Sequence, residues 1–434
     1  MITKKKLFKL WLPLALMWIV MALESPMITS AISRLPDALN QLAAFGFSFA
    51  LALLIEGPVI HMLSAGTAIT TSVSSYKKLL SIQRFLAIVT TLIHIFLSIT
   101  PVFRFMAVNI MSLPSELVQP AHQAFAVMIP WSATIGYRRL WQGVMIKHGR
   151  SKYVPIVMYI RITLAAIVLA IGLIFQPFDG ALLGGITLTV GVISGMISAY
   201  IFAKPCLDAL PKTDNSDINK NQMIAFYVPL AITSMINLGV RPLLNIGIVR
   251  GTFPIESLAL WPIVLAYIFL YTSIAQSLQE IIIAEYKKEN LRVVKSFVNT
   301  VAAVLVSTYI VIYLIRPLWE LWFVNISSVP PELLVYLPVT LAIFMIMPLV
   351  SARISWFRAI LVAERKTTSL TYAVFINVGT LLLIIYGLPH FVQIPGVYLA
   401  SLAYLFSYLF ESLFLFYRSR KLHIGIIDKE NKIA

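Results

Sequence analysis

The chain reads as a long series of apolar runs separated by short polar breaks. Stretches near 20 residues with few charges recur along its 434 residues. As helix, each is long enough to cross a hydrocarbon core of roughly 30 Å. The pattern predicts twelve helices, over 8–33, 41–72, 82–106, 122–147, 153–175, 181–204, 222–249, 256–284, 293–316, 332–362, 367–388 and 395–417. A membrane barrel would alternate every second residue instead, and these runs do not. Several spans exceed 25 residues, which points to tilt, kinks or extension beyond the bilayer. The opening MITKKKLFKLWLPLALMWIV pairs a basic region with an apolar one, as a signal peptide does. Its apolar run continues through MALESPMITSAI without a clean small-residue cleavage site, so it reads as a retained first helix.

Composition agrees with this reading. Hydrophobic residues make up 59% of the chain, charged residues 12%, and mean hydropathy is +0.87. A soluble domain carries roughly 25% charged residues, so the surface here suits lipid rather than water. The expected class is an all-α, polytopic membrane protein. The single cysteine, Cys206, excludes an intramolecular disulfide.

The polar stretch CLDALPKTDNSDINKN at 206–221 falls near the midpoint. It divides the chain into an N-terminal six-helix lobe (1–205), a linker (206–221), a C-terminal six-helix lobe (222–421) and a tail (422–434). One offset, 216 residues, aligns the two halves in three places. Trp11-Leu-Pro13-Leu-Ala-Leu matches Tyr227-Val-Pro229-Leu-Ala-Ile, GVMIKHGRS at 143–151 matches AILVAERKT at 359–367, and Gly180-Ala-Leu matches Gly396-Val-Tyr. An even helix count per half makes the repeats parallel. The same offset sets Glu24-Ser25-Pro26 against Val240-Arg241-Pro242, and Arg34 against Arg250. Each first helix of a half thus carries a mid-membrane proline, Pro26 or Pro242, expected to act as a hinge because proline removes a backbone donor.

Charge sets the topology. Loops on the side of the N-terminus hold 24 Lys and Arg residues, and the opposite loops hold only Arg34, Arg104, Arg250 and Arg316. By the positive-inside rule both termini are cytoplasmic, at the cell membrane, which is the inner membrane if the source is bacterial. The formal charge of +16 is therefore largely a topological signal. It is scattered over short loops, which argues against a nucleic-acid partner.

The remaining basic residues lie within helices: Arg138, Arg139, Arg161, Arg241, Arg353 and Arg358. The intramembrane acids are Glu24, Glu56, Glu280 and Glu411. An arginine at a helix centre costs about 2.5–3.5 kcal/mol even on the lenient insertion scale. Such residues must pair, reach an interface or line a wet cavity. Arg358 and Glu411 lie toward cytoplasmic helix ends, where snorkelling is the simple reading; Arg161 reads equally as an interhelical ion pair. Arg241, Arg353, Glu24 and Glu56 lie deeper and are the favoured cavity residues, with a Glu24–Arg241 ion pair as the structural alternative.

The excess of arginine biases the cavity toward anions, because guanidinium suits phosphate and carboxylate. The expected substrate contacts are Arg241, Arg353, Asn245, Arg138 and Arg139. Glu24, Glu56 and His61 are the candidates for ion pairing or for coupling to protons or sodium, and Arg34 and Arg250 mark the outer mouth. The sequence has no glycine-rich phosphate loop followed by Lys-Ser/Thr and no Cys/His metal cluster. It therefore predicts neither an enzyme nor a cofactor or metal requirement, and movement driven by a gradient.

Five segments, PLALMWIVMALESPMITSAISRLP, AAFGFSFALALLIEGP, GVMIKHGRSKYV, VRPLLNIGIVR and ARISWFRAILVAERKT, carry a resemblance over nearly the whole chain. It resembles the progressive ankylosis family, within the multidrug/oligosaccharidyl-lipid/polysaccharide exporter superfamily. That resemblance implies a two-lobed, alternating-access exporter of polyvalent anions such as pyrophosphate, nucleotides or citrate. The short tail departs from the animal protein, so its substrates need not carry over. The expectation is a monomeric secondary exporter of a small organic or phosphate-bearing anion, with membrane lipid around it. Three alternatives stay open: a flippase for lipid-linked precursors, a multidrug/cation antiporter, and a non-transporting membrane scaffold.

Overall fold

The computed structural model describes residues 2–32, 34–110, 113, 115–214, 218–248, 250–327, 329 and 331–430. Side chains at 19–23, 25–26, 39, 110, 237, 239–243, 245–247, 255, 258–259, 288, 326 and 421–430 lie outside the description. Every span expected from the apolar pattern is helical. In the first half they are α1 (Lys4–Ile32), α2 (Ala38–Glu56) with α3 (Met62–Ile69), α4 (Val73–Ser98) with α5 (Thr100–Phe105), α6 (Ser115–Val127) with α7 (Trp131–Lys147), α8 (Tyr153–Phe175) and α9 (Gly180–Asp208). The second half has α10 (Lys220–Ile248), α11 (Pro254–Gln276) with α12 (Leu278–Ala284), α13 (Leu291–Leu314) with α14 (Arg316–Glu320), α15 (Leu337–Ile343) with α16 (Met347–Ala363), α17 (Thr368–Gly387) and α18 (Gly396–Glu430). Among the described residues there is no strand beyond an isolated bridge between Thr252 and Pro395.

Six of the twelve spans are split, and two of the splits follow local chemistry. Gly57-Pro58 ends α2 in a single tight turn, Gly57–Val59, before α3 begins. Pro130 separates α6 from α7 at the position before Trp131, since proline has no N–H to continue the ladder. Among the described residues nine stretches are long and apolar enough to cross a membrane. Large apolar side chains face outward on several of them, including Ile174, Phe175, Leu314 and Leu383, each more than 70% exposed. Such surface suits lipid and is rare on a soluble monomer.

At several element ends the 216-residue repeat holds to the residue in the backbone. Lys4–Ile32 recurs as Lys220–Ile248, and Trp131–Lys147 recurs as Met347–Ala363. Gly180 and Gly396 open the last long helix of each half, and Val73–Ser98 ends where Leu314 ends its counterpart. Short π-helical turns follow at Met106–Ile110 and Leu321–Ile326. Even the left-handed positions recur, Asp37 with Phe253 and Gly149 with Arg365.

The chain forms two compact units, one of Met1–Trp11 with Gly239–Ala434, the other of Leu12–Leu238. The cuts fall inside α1 and α10 rather than in the polar linker. In the first unit Ile2 N–H donates to Asn290 Oδ1 at 3.0 Å and Trp11 Nε1 donates to Ser277 Oγ at 2.8 Å. In the second, Tyr227 Oη donates to Pro58 O at 2.8 Å, which satisfies a carbonyl at the break after α2. The second unit also brings α3 and α7 backbone to backbone. A Cβ on Gly143 would lie 2.5 Å from Leu63 O and 2.9 Å from Gly66 Cα, so both positions need glycine.

Candidate functional site

Within the Leu12–Leu238 unit, α1, α2, α7 and α8 bring five ionisable side chains to one buried region. Arg161 of α8 donates from Nη2 to Glu24 Oε2 of α1 at 2.5 Å. Glu56, the last residue of α2, accepts from Trp131 Nε1 at 2.9 Å, and its other oxygen is 3.8 Å from Arg139 Nη2. The Arg161 guanidinium also lies 5.9 Å from the Trp131 ring centroid, within cation–π range. Among the described residues Arg161 is the ion-pair partner of Glu24; the expected Glu24–Arg241 pair falls on a side chain outside the described residues.

Arg138 is different. It is 3% exposed, its Nη1 donates to Met158 Sδ at 3.3 Å, and its Nε finds no acceptor. Among the described residues no carboxylate is within ion-pair distance of it. Arg161, Arg139, Glu56 and Glu24 are all within electrostatic reach. Three guanidinium groups thus face two carboxylates, and the surplus charge rests on Arg138. Thioether sulfur is a weak acceptor, and an effective penalty of several kcal/mol attaches to each buried ion that stays uncompensated. Among the described residues no donor reaches the buried Glu24 Oε1 atom either.

Two glycines of α9 lie against this cluster. A Cβ on Gly191 would lie 3.4 Å from Arg161 Cγ and 3.6 Å from Glu24 Oε1, and one on Gly195 would lie 3.1 Å from Arg138 Cδ. The two glycines are one turn apart on α9 and give the arginine stems a flat floor. Trp131, Met158, Gly191 and Gly195 were not singled out in the sequence. The small-xxx-small spacing of the two glycines was the available signal.

The other unit holds a smaller cluster. Arg358 of α16 donates through Nε at 3.0 Å, and also through Nη2, to Glu411 Oε1 of α18. Asn377 Nδ2 of α17 donates to Glu411 Oε2 at 2.9 Å. Glu411 is 2% exposed. These two residues therefore pair with each other instead of snorkelling to the interface.

The other expected residues are dispersed. Arg353 donates from Nη1 to Asn299 Oδ1 of α13 at 3.1 Å, beside an open groove of about 570 Å³ lined by Ser296, Thr300, Ser307 and Thr308 among others. Arg34 and Arg250 are exposed, and the Arg250 guanidinium stacks 4.1 Å from the Tyr386 ring centroid. His61 is partly buried and occupies the position before α3, where its side chain makes no capping hydrogen bond. Helices α1 and α10 remain helical through positions 26, 241, 242 and 245, but the side chains of Pro26, Arg241, Pro242 and Asn245 lie outside the described residues. Among the described residues, no three His, Cys, Asp or Glu side chains converge on a metal position.

At the level of sequence no family model matches the chain, and no curated protein does. Solved structures do. One is the outward-facing conformation of a multidrug resistance MATE family transporter of the MOP superfamily, with TM-score 0.74 and 15% identity, covering 98% of this chain and 96% of that one. A second is a MOP superfamily transporter from Pyrococcus furiosus, described by a reverse polarity of its binding pocket that suggests a different function. It matches with TM-score 0.74 and 14% identity, covering 98% of this chain and 96% of that one. A third, a variant of a Vibrio cholerae MATE transporter, gives TM-score 0.75 at 16% identity, covering 96% and 97%. At such identities the likeness concerns architecture. The chain has the all-helical, twelve-span fold of the MATE transporters.

Proposed function

We propose that this protein is a secondary transporter that exports a small organic or phosphate-bearing anion by alternating access, with both termini in the cytoplasm. The observation that carries the reading is Arg138, a buried guanidinium with no carboxylate partner among the described residues, in a cluster of three arginines and two glutamates. An intramembrane ionisable group is a functional candidate by default, and guanidinium cannot shed its charge by deprotonating. An anionic cargo supplies the missing negative charge. Arg139 and Arg161 are held by Glu56 and Glu24 and would shape the field around it; Arg353, Arg241 and Asn245 are further candidate contacts. The fold shared with MATE transporters supports carriage rather than scaffolding. A structural neighbour, the MOP superfamily transporter from Pyrococcus furiosus, is described by a reverse polarity of its binding pocket that suggests a different function. The resemblance to the progressive ankylosis family supports pyrophosphate, nucleotide or citrate-like cargo.

A second reading, multidrug cation antiport, is favoured by the description of another neighbour as a multidrug resistance transporter. Purified protein in proteoliposomes separates the two. Efflux of radiolabelled pyrophosphate or citrate that falls at least tenfold in Arg138→Gln supports the anion reading. Transport of a lipophilic cation with no anion flux overturns it. A third arm carrying a lipid-linked pyrophosphate reads the flippase alternative.

A further inference from the structure

The internal repeat sets the two buried clusters side by side in sequence register. At the 216-residue offset Gly195 corresponds to Glu411, and Arg161 corresponds to Asn377. In the C-terminal half the Glu411 carboxylate is the anion: it takes Arg358 on one oxygen and Asn377 on the other. In the N-terminal half the same place on the helix bears no side chain. A Cβ built on Gly195 would lie 3.1 Å from Arg138 Cδ and 3.7 Å from Arg161 Cβ and Cδ. The repeat-equivalent of Arg358 is Gln142, one turn from Arg138 on α7. Each half thus sends one guanidinium from this helix toward the helix that bears Gly195 or Glu411. One half supplies its own carboxylate, and the other does not.

We propose that the N-terminal cluster is an oxyanion site in which the carboxylate or phosphoryl end of a small anion takes, beside Gly195, the place that Glu411 fills in the other half. The proposal deepens and rests on the anion reading above. With glycine at 195 the flexible Arg138 and Arg161 stems cover this part of α9 and draw back to admit the anion, and Arg138, buried and lacking an acceptor at Nε, supplies the charge. Arg161 already uses one nitrogen on Glu24, and its buried Nε has no acceptor either. Two donor atoms of neighbouring guanidinium groups therefore await an acceptor along the Gly191–Gly195 face of α9. A planar carboxylate or a phosphoryl group suits them, because guanidinium matches both.

Installing the missing carboxylate tests this. Gly195→Glu and Gly195→Gln have the same size and both displace the flexible Arg138 stem; only the first brings a negative charge. Purified proteins are melted in detergent with pyrophosphate, with citrate, or with potassium chloride at matched ionic strength. The wild type should gain several degrees with pyrophosphate or citrate over chloride. Pyrophosphate alone would mark a phosphoryl site, citrate alone a carboxylate site. Without ligand, Gly195→Glu should melt several degrees above Gly195→Gln, and its gain from either anion should vanish. A Glu variant no more stable than the Gln variant overturns the proposal, as does an anion gain equal to that of the wild type. An absent gain in the wild type overturns it too. If neither variant folds, Arg138→Gln decides: loss of the anion gain supports the site, and retention overturns it. Proteoliposomes keep the two readings apart. Anion flux that survives Gly195→Glu sinks the site and leaves anion transport standing. Anion-dependent melting with no flux sinks transport and leaves the site.

Discussion

Removing Arg358 should destabilise the C-terminal unit far more than its position near a helix end implies. The Glu411 carboxylate is 2% exposed and takes three donors, Nε and Nη2 of Arg358 and Nδ2 of Asn377. Arg358→Leu strips two of the three and the positive charge, leaving a carboxylate in a low-dielectric interior. Breaking a buried pair this way costs about 3–5 kcal/mol. The Arg358 side chain is 17% exposed, so some screening applies and about 3 kcal/mol is the better figure. At about 2–4 °C per kcal/mol for a domain of some 200 residues, melting should fall by about 6–12 °C. Glu411→Leu should cost less, because the partly exposed arginine can extend its charged end toward water. The double change should recover most of the loss, since apolar replacement of a whole buried pair is often near neutral. Asn377 would then keep an orphaned amide worth about 1 kcal/mol. Fluorescence-detected size-exclusion melting of the four proteins in detergent reads the cycle. Losses that simply add in the double variant, or a single Arg358→Leu shift under about 2 °C, would refute the reasoning.

Trp131→Phe removes the indole donor to Glu56 Oε2 and leaves that carboxylate with Arg139 at 3.8 Å; a hydrogen bond to a charged group is worth about 1.5–3 kcal/mol, so melting should fall by several degrees in the same assay. Gly143→Ala drives a methyl into Leu63 O and Gly66 Cα, backbone atoms that cannot rotate away. It should abolish monodisperse protein on size exclusion, whereas Gly46→Ala, with open space around its Cβ, should behave as wild type. Glu24 Oε1 is buried without a donor, so a bound anion carrying its own O–H fits best. Hydrogen phosphate should stabilise the protein more than sulfate of the same shape, and Glu24→Gln should narrow the difference, as read by melting at neutral pH.

Much of the architecture was legible in the residues because it is local. A run of apolar residues long enough to cross a bilayer becomes a helix whatever lies beside it, and Gly57-Pro58 and Pro130 interrupt helices through their own backbone chemistry. The repeat was legible for the same reason: short matches at one offset predicted element ends that recur to the residue, Lys4–Ile32 with Lys220–Ile248 and Trp131–Lys147 with Met347–Ala363. The sequence also determined that arginine exceeds glutamate inside the membrane. Which charges meet was decided only by tertiary structure. Arg161 lies 137 positions from Glu24, and Arg358 lies 53 from Glu411, and no local pattern links residues so far apart. Reading depth along each helix predicted snorkelling for Arg358 and Glu411, but packing of α16 against α18 put them within a hydrogen bond. Arg138 and Arg139 look alike in sequence. A helical step of about 100° sends one toward Glu56 and the other toward Met158 over Gly195, where among the described residues no carboxylate answers it.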